Sequence, residues 1–420
     1  MKFSREVTKV TIIGLTTILL AGCSMLGKKD FVLPGERMNV LPDQENVSTE
    51  TSLENMAKIP GDKKGNFGSG VKTLWAADVG LTNNRYNSQT ALPKFSNGNI
   101  YTIDNNSQVT ALSSGGLVRW KARVNRDGEH GRHIGGGVTR AGDGIYVGTG
   151  SAQLVKLSTN GSKLWAAETD APVRAAPVVA GDTVFVQTAQ GKILAYNTKD
   201  GSEKWRFQLG GDADGYQGNA EPIYTGGKII ALLNTGDLIA LNGKDGSLAW
   251  QKSLFNRRTN FVGGSPNAPR SELKLVGGRL YVATAEGQIS AVNPSSGSIA
   301  WSKNFGAASN IAISGGSLFL IDENDILRAV TTSNGSDIWS ASLTTYKNSD
   351  KQYDRVKWFG PAISGGNLYI LSNRGNVAVF STGGKPIRGE KLRAQFATSP
   401  VANGGNVYAF GNKGKLYAIR

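Results

Sequence analysis

Apolar and polar positions fall into a unit of roughly 40 to 50 residues, clearest from Pro222 to Trp250. A short apolar run precedes Gly226-Gly227, and a second passes through Ile230 and Leu233. After Gly236 come Ile239-Ala240-Leu241-Asn242, Gly246 and Trp250. Runs that are apolar on both faces suit strands buried between neighbours, and Gly-Gly supplies the positive backbone angles of tight hairpins. The unit therefore predicts a four-stranded meander.

The unit recurs, and a fixed period decides architecture before any single residue does. Its closing tryptophan returns as Trp120, Trp165, Trp205, Trp250, Trp301 and Trp339, each preceded by a small-apolar pair and a turn glycine such as Gly161, Gly201 or Gly297. A seventh copy runs from Pro361 to Gly384, with Ile387 where Trp should stand, and an eighth starts at Pro400 and reaches Arg420 after three strands. The orphan strand Lys72-Thr73-Leu74-Trp75 supplies what the eighth lacks. The expected fold is all-β: an eight-bladed β-propeller of four-stranded antiparallel blades, closed by an N-terminal strand, which leaves no open edge between its ends. The repeated tryptophans read as structural cement between blades, since each buried indole removes about 150 to 250 Å² from water.

Ahead of the repeats, Lys2, Arg5 and Lys9 precede the apolar run Val10 to Leu20 and then Leu20-Ala21-Gly22-Cys23. This reads as a secretory signal over residues 1–22, too short for a permanent span. Its ending resembles the bacterial lipobox, which implies a diacylated and then N-acylated Cys23. That lipid would anchor the chain in the inner leaflet of the outer membrane, with Ser24 favouring that destination. Several acyl chains make a lasting anchor where one holds only marginally. Cys23 is also the only cysteine, which excludes an intramolecular disulfide. Residues 23–70 are polar and rich in Pro, Gly, Asn and Ser, and read as a flexible tether. Residues 71–420 form the propeller.

Charge narrows the partners. The formal charge is +15, and removing the signal leaves +13. Such a surplus favours acidic protein patches or anionic head groups, and a secreted chain does not meet nucleic acid. The turns on one end of the meanders are short, whereas the interblade links on the other are long and irregular, which points to a binding face. Those links hold 19 Lys or Arg against 11 Asp or Glu, including Arg257, Arg258, Arg270, Arg355, Arg388 and Arg393. Tyr216, Phe261, Tyr346, Tyr353, Trp358 and Phe359 lie in the same links and are expected to be exposed interface anchors.

Catalytic chemistry is thin. His130 and His133 are the only histidines, Asp212-Ala213-Asp214-Gly215 lacks the remaining carboxylates of a calcium loop, and Asp322-Glu323-Asn324-Asp325 reads as a polar turn. No nucleophile with a base and no phosphate-binding glycine loop before a helix emerges. No cofactor, no metal and no enzymatic activity are expected.

The repeat, with its Ala-Leu-Asn, turn glycine and Trp, resembles the blade of the quinoprotein dehydrogenases. The whole arrangement, from the lipobox at Cys23 through Trp75 and eight units to Arg420, resembles the BamB family, the lipoprotein B subunits of the outer-membrane β-barrel assembly machinery. The resemblance implies a non-catalytic scaffold that binds the POTRA domains of the central barrel subunit and assists insertion of outer-membrane proteins, with unfolded clients as further candidate partners. It places contacts in the links before the fourth and fifth units, here 206–221 and 251–271. Asp214, Tyr216 and Gln217 match the first, with Asp214 and Gln217 replacing an apolar residue and an Arg. In the second, Ala268 and Arg270 stand where the family has acidic residues, so either the partner's charges differ or the loops align differently. Quinoprotein dehydrogenases bind calcium and carry adjacent cysteines, which this chain lacks. A propeller binding peptidoglycan or another envelope partner is the other alternative.

Overall fold

The computed structural model describes residues 70–80, 91–125, 136–209, 220–233, 235–254, 272–284, 288–305, 310–348 and 353–420. The signal, Cys23 and all of the tether but Gly70 lie outside them.

Among the described residues there are eight four-stranded antiparallel sheets and one two-stranded hairpin. Blades 1 to 7 are simple meanders, beginning with Lys94–Ser96, Gly137–Ala141, Val178–Ala180, Ile223–Thr225, Glu272–Val276, Ala312–Ser314 and Trp358–Ser364. Blade 8 takes three strands from Val401–Asn403, Asn406–Phe410 and Lys415–Ile419, and its fourth is Thr73–Asp78. Lys72 and Arg420 exchange backbone hydrogen bonds of 2.9 and 3.0 Å just beyond that pairing. The eight-bladed propeller closed by its N-terminal strand is thus observed.

Burial follows position in the blade. In blade 4 the second strand, Lys228–Leu232, and the third, Asp237–Asn242, are buried on both faces, while the outer strand, Leu248–Ser253, is mostly exposed. Both faces of a middle strand meet a neighbouring blade, so the alternation of a one-sided sheet gives way to continuous Ile, Leu and Ala. The core is consequently divided: eight apolar clusters each straddle one seam, as Phe185, Ile193 and Ala195 of blade 3 do with Ile229, Ala231 and Ile239 of blade 4. Gly226 and Gly227, at φ 56° and 74°, close the first hairpin of that blade in the doubly positive conformation that follows strand twist.

The seven tryptophans at the repeat position are half-buried lids that span seams, apart from Trp301, which is buried. Trp75, Trp120, Trp165, Trp205, Trp250, Trp301 and Trp339 each donate from Nε1 to a carbonyl in the last turn of the next blade, at 2.9 to 3.3 Å. Each ring also lies over that turn's glycine. A Cβ on Gly246, where φ is +73°, would stand 2.6 Å from the ring of Trp205. Glycine is thus needed twice there, for the backbone angle and for the ring.

The seventh unit corrects one expectation. Trp250 pairs with Ala240 and Trp339 with Ala329, and in the same register Val379 faces Arg388, not Ile387. Ile387 occupies the outward-facing position before it and is exposed. Arg388 lies over Tyr369 at 6.0 Å and donates to its hydroxyl at 2.9 Å, much as the ring of Trp120 leans on Tyr101.

Candidate functional site

The propeller presents two ends and an axial channel. At one end are the tight first hairpins; at the other are the links and the turns between second and third strands. Those latter turns are fixed from within. Asp104 accepts from the amides of Asn106 and Gln108 at 2.8 and 2.7 Å, and Asp322 from those of Asn324 and Ile326, both at 2.9 Å. Hydroxyls of Thr149, Thr188, Thr284 and Ser372 do the same in other blades, at 3.0 to 3.2 Å. A side chain that substitutes for a backbone acceptor stiffens a short turn, so these turns are points at fixed separations.

Asp214, Tyr216, Gln217, Arg257, Arg258 and Arg270 lie outside the described residues, as do Tyr216's neighbours in 210–219 and the whole of 255–271. The roots of both links are described. Ala220 ends the first link, Leu254 begins the second and Leu273 follows it, and all three are buried in one cluster between blades 4 and 5. The Leu254 amide donates to the Gly236 carbonyl at 2.9 Å. The described roots of two links that are 30 or more residues apart in sequence thus meet in one seam.

The aromatic anchors fare differently. Trp358 is 2% exposed and belongs to the core between blades 6 and 7, with its Nε1 donating to the Thr344 carbonyl at 2.8 Å. Phe359 is buried between blades 7 and 8. Both stand on the first strand of blade 7, which begins earlier than the proline suggested. The link before that blade carries the hairpin Tyr346–Asn348 with Tyr353–Arg355. Arg355 reaches Asp325 at 3.5 Å, and burial pushes the Asp325 carboxyl up against the opposing pull of Arg355. Arg388 lies on the outer strand Pro386–Lys391 rather than in a link, whereas Arg393 does lie in the link that follows.

The inner strands surround a channel of about 600 Å³. An ion pair between Lys94 of blade 1 and Glu221, at the root of blade 4, joins two sides of it. Glu272 and Lys274 pair at 3.2 Å, and Glu272 also accepts from the Ile311 amide at 2.6 Å. A quinone with calcium would need a convergent donor set, yet no cluster of three or more His, Cys, Asp or Glu exists among the described residues. The channel carboxylates are instead engaged by lysines and an amide, so the residues present do not fit that group.

A family profile described as outer membrane protein assembly factor BamB matches residues 105–341 and again 265–420. The chain is 24% identical to the outer membrane protein assembly factor BamB of Yersinia pestis over 315 residues, covering 73% of this chain and 74% of that one. It is likewise 24% identical to the Moranella endobia (strain PCIT) protein of that name, over 71% of this chain and 73% of the other. The crystal structure of BamB from Moraxella catarrhalis superposes with a TM-score of 0.65 at 16% identity, over 84% of this chain and 98% of that one. Quinohemoprotein alcohol dehydrogenase from Comamonas testosteroni gives 0.63 at 13% identity, over 83% and 76%. At such identities these two structures show a shared fold.

Proposed function

Because the chain belongs to the BamB family of outer membrane protein assembly factors, we propose that it is a non-catalytic accessory subunit of the outer-membrane β-barrel assembly machinery. It is held at the outer membrane by lipid on Cys23 and faces the periplasm. Its partners are the POTRA domains of the central barrel subunit, and its effect is to assist folding and insertion of outer-membrane proteins.

The observation that carries this reading is the common rooting of the two links before blades 4 and 5. Ala220, Leu254 and Leu273 share one buried cluster, so the roots of the links that carry Asp214, Tyr216 and Gln217 and Arg257, Arg258 and Arg270 are neighbours. A folded partner domain needs a contiguous patch, and two long links with neighbouring roots favour one. Holding a partner by loop packing or strand pairing needs no reacting group, in keeping with a channel whose charges are tied to each other.

Calorimetric titration of the chain with the POTRA domains from the same organism tests the reading. Saturable binding is expected, weakened by about 1.4 kcal/mol, or tenfold, in Tyr216→Ala and in the double change Arg257→Glu with Arg258→Glu. Absence of binding at the highest attainable concentration, with retention on peptidoglycan, would move the assignment to another envelope partner.

A further inference from the structure

We propose that the link end carries a preformed phosphate-binding pocket between blades 7 and 8, outside the proposed partner patch and independent of it. A hollow of about 320 Å³ lies there, with Arg374, Arg393 and Lys413 among its walls. The three cations come from three segments: the second-to-third turn of blade 7, the link to blade 8, and the corresponding turn of blade 8. Gln395 and Asn412 add polar side chains, and no carboxylate among the described residues lines it. Arg393 and Lys413 are exposed and enter no ion pair among the described residues.

The frame is rigid. The Leu392 amide donates to the Gly375 carbonyl at 2.9 Å, and the Asn412 amide to the Gln395 carbonyl at 2.8 Å, so the link is tied to both turns. Phe396, fully buried, packs edge-on against Tyr417 at 5.8 Å and holds the floor. The like charges of Arg393 and Lys413 on one concavity repel each other, and an anion between them relieves that repulsion. A phosphate group concentrates up to two charges and three acceptors at one point, which suits Arg and Lys donors that line one hollow. An acidic peptide spreads single charges along an extended strand and would suit a groove. The phosphate can be free or borne on a lipid head group.

The test is calorimetric titration of the full chain in neutral detergent at low ionic strength. The probes are inorganic phosphate, dihexanoyl-phosphatidylglycerol and tetra-aspartate, with sodium chloride matched for ionic strength. Saturable binding of a phosphate compound is expected, weakened at least tenfold by Arg393→Glu with Lys413→Glu. Neutralisation by Arg393→Gln with Lys413→Gln should weaken it too while leaving the thermal melt unchanged. Tighter binding of the phospholipid assigns the head-group source, and tighter binding of inorganic phosphate the free one. No saturation, equal affinity in the variants, or binding of tetra-aspartate alone would overturn the proposal.

Discussion

The seam between blades 3 and 4 and the seam between blades 7 and 8 solve one problem in two ways. In the first, Trp205 lies over Gly246 and donates to the Gly243 carbonyl at 3.1 Å, so a ring from one blade grips the last turn of the next. In the second, that turn does not exist, because the fourth strand of blade 8 is Thr73–Asp78. A tryptophan at position 388 would have neither glycine nor turn carbonyl to dock against. Arg388 stacks on Tyr369 of its own blade instead, and closure rests on backbone pairing of Thr73–Asp78 with Lys415–Ile419 and on buried Val71 and Phe396. The interblade staple is therefore a two-part device, and losing the turn removes the reason for the ring.

The largest expected effect is at the ring itself. Trp205→Ala should destabilise by about 3 to 4 kcal/mol in urea unfolding, from lost apolar burial and a lost hydrogen bond. Arg388→Ala should cost less than about 1.5 kcal/mol; equal losses would erase the distinction between the seams.

Next comes the turn. Gly246→Ala combines backbone strain of about 1 to 2 kcal/mol with a methyl driven into Trp205, and should cost about 2 to 3 kcal/mol in all. Gly226→Ala meets no atom within 4 Å and should cost only the strain. A smaller loss at Gly246 than at Gly226 would show that the ring is not seated on the turn.

Arg388→Trp sharpens the comparison from the other side. It should change stability by less than about 1 kcal/mol, and a gain of more than about 2 kcal/mol would reveal an acceptor at the closing seam.

The smallest effect lies in blade 2, where buried Lys156 replaces the usual alanine opposite Trp165 and Gly144 leaves room for its stem. Lys156 donates to the Thr198 carbonyl at 3.0 Å, the same carbonyl that Trp165 uses, and pairs with Asp143 at 3.1 Å. Burial pulls the ammonium down, but Asp143 and Tyr146 outweigh it and leave its pKa raised; the bond from Lys156 lowers that of Asp143. The lysine's contribution is therefore present below its unfolded pKa of about 10.4 and fades as pH rises past it. The aspartate's is present above about pH 3.9 and fades as pH falls. Asp143→Asn should lower the melting temperature slightly near neutrality, with the difference from the parent chain vanishing in acid.

Period, turn glycines and the orphan strand at Trp75 were enough to read eight blades and their closure, because strands caught between blades must be apolar on both faces. The place of Arg388 was misread as Ile387 although the signal was present: Trp120, Trp165, Trp205, Trp250, Trp301 and Trp339 each follow a turn glycine by four residues, and Gly384 points to 388 by the same count. Trp358 and Phe359 were not legible, since an aromatic beside lysines in a long link has the same local pattern whether it faces solvent or slots beneath the neighbouring blade.

The chain's own order of residues determines local geometry, through positive backbone angles at glycine and the period of apolar positions. Which residues meet across a seam, how Ala220, Leu254 and Leu273 bring the roots of two links together, and how Arg374, Arg393 and Lys413 come to line one hollow were decided only by the tertiary structure. Those contacts join segments whose separation in space depends on how every blade packs against the next, and no short window of sequence carries that distance.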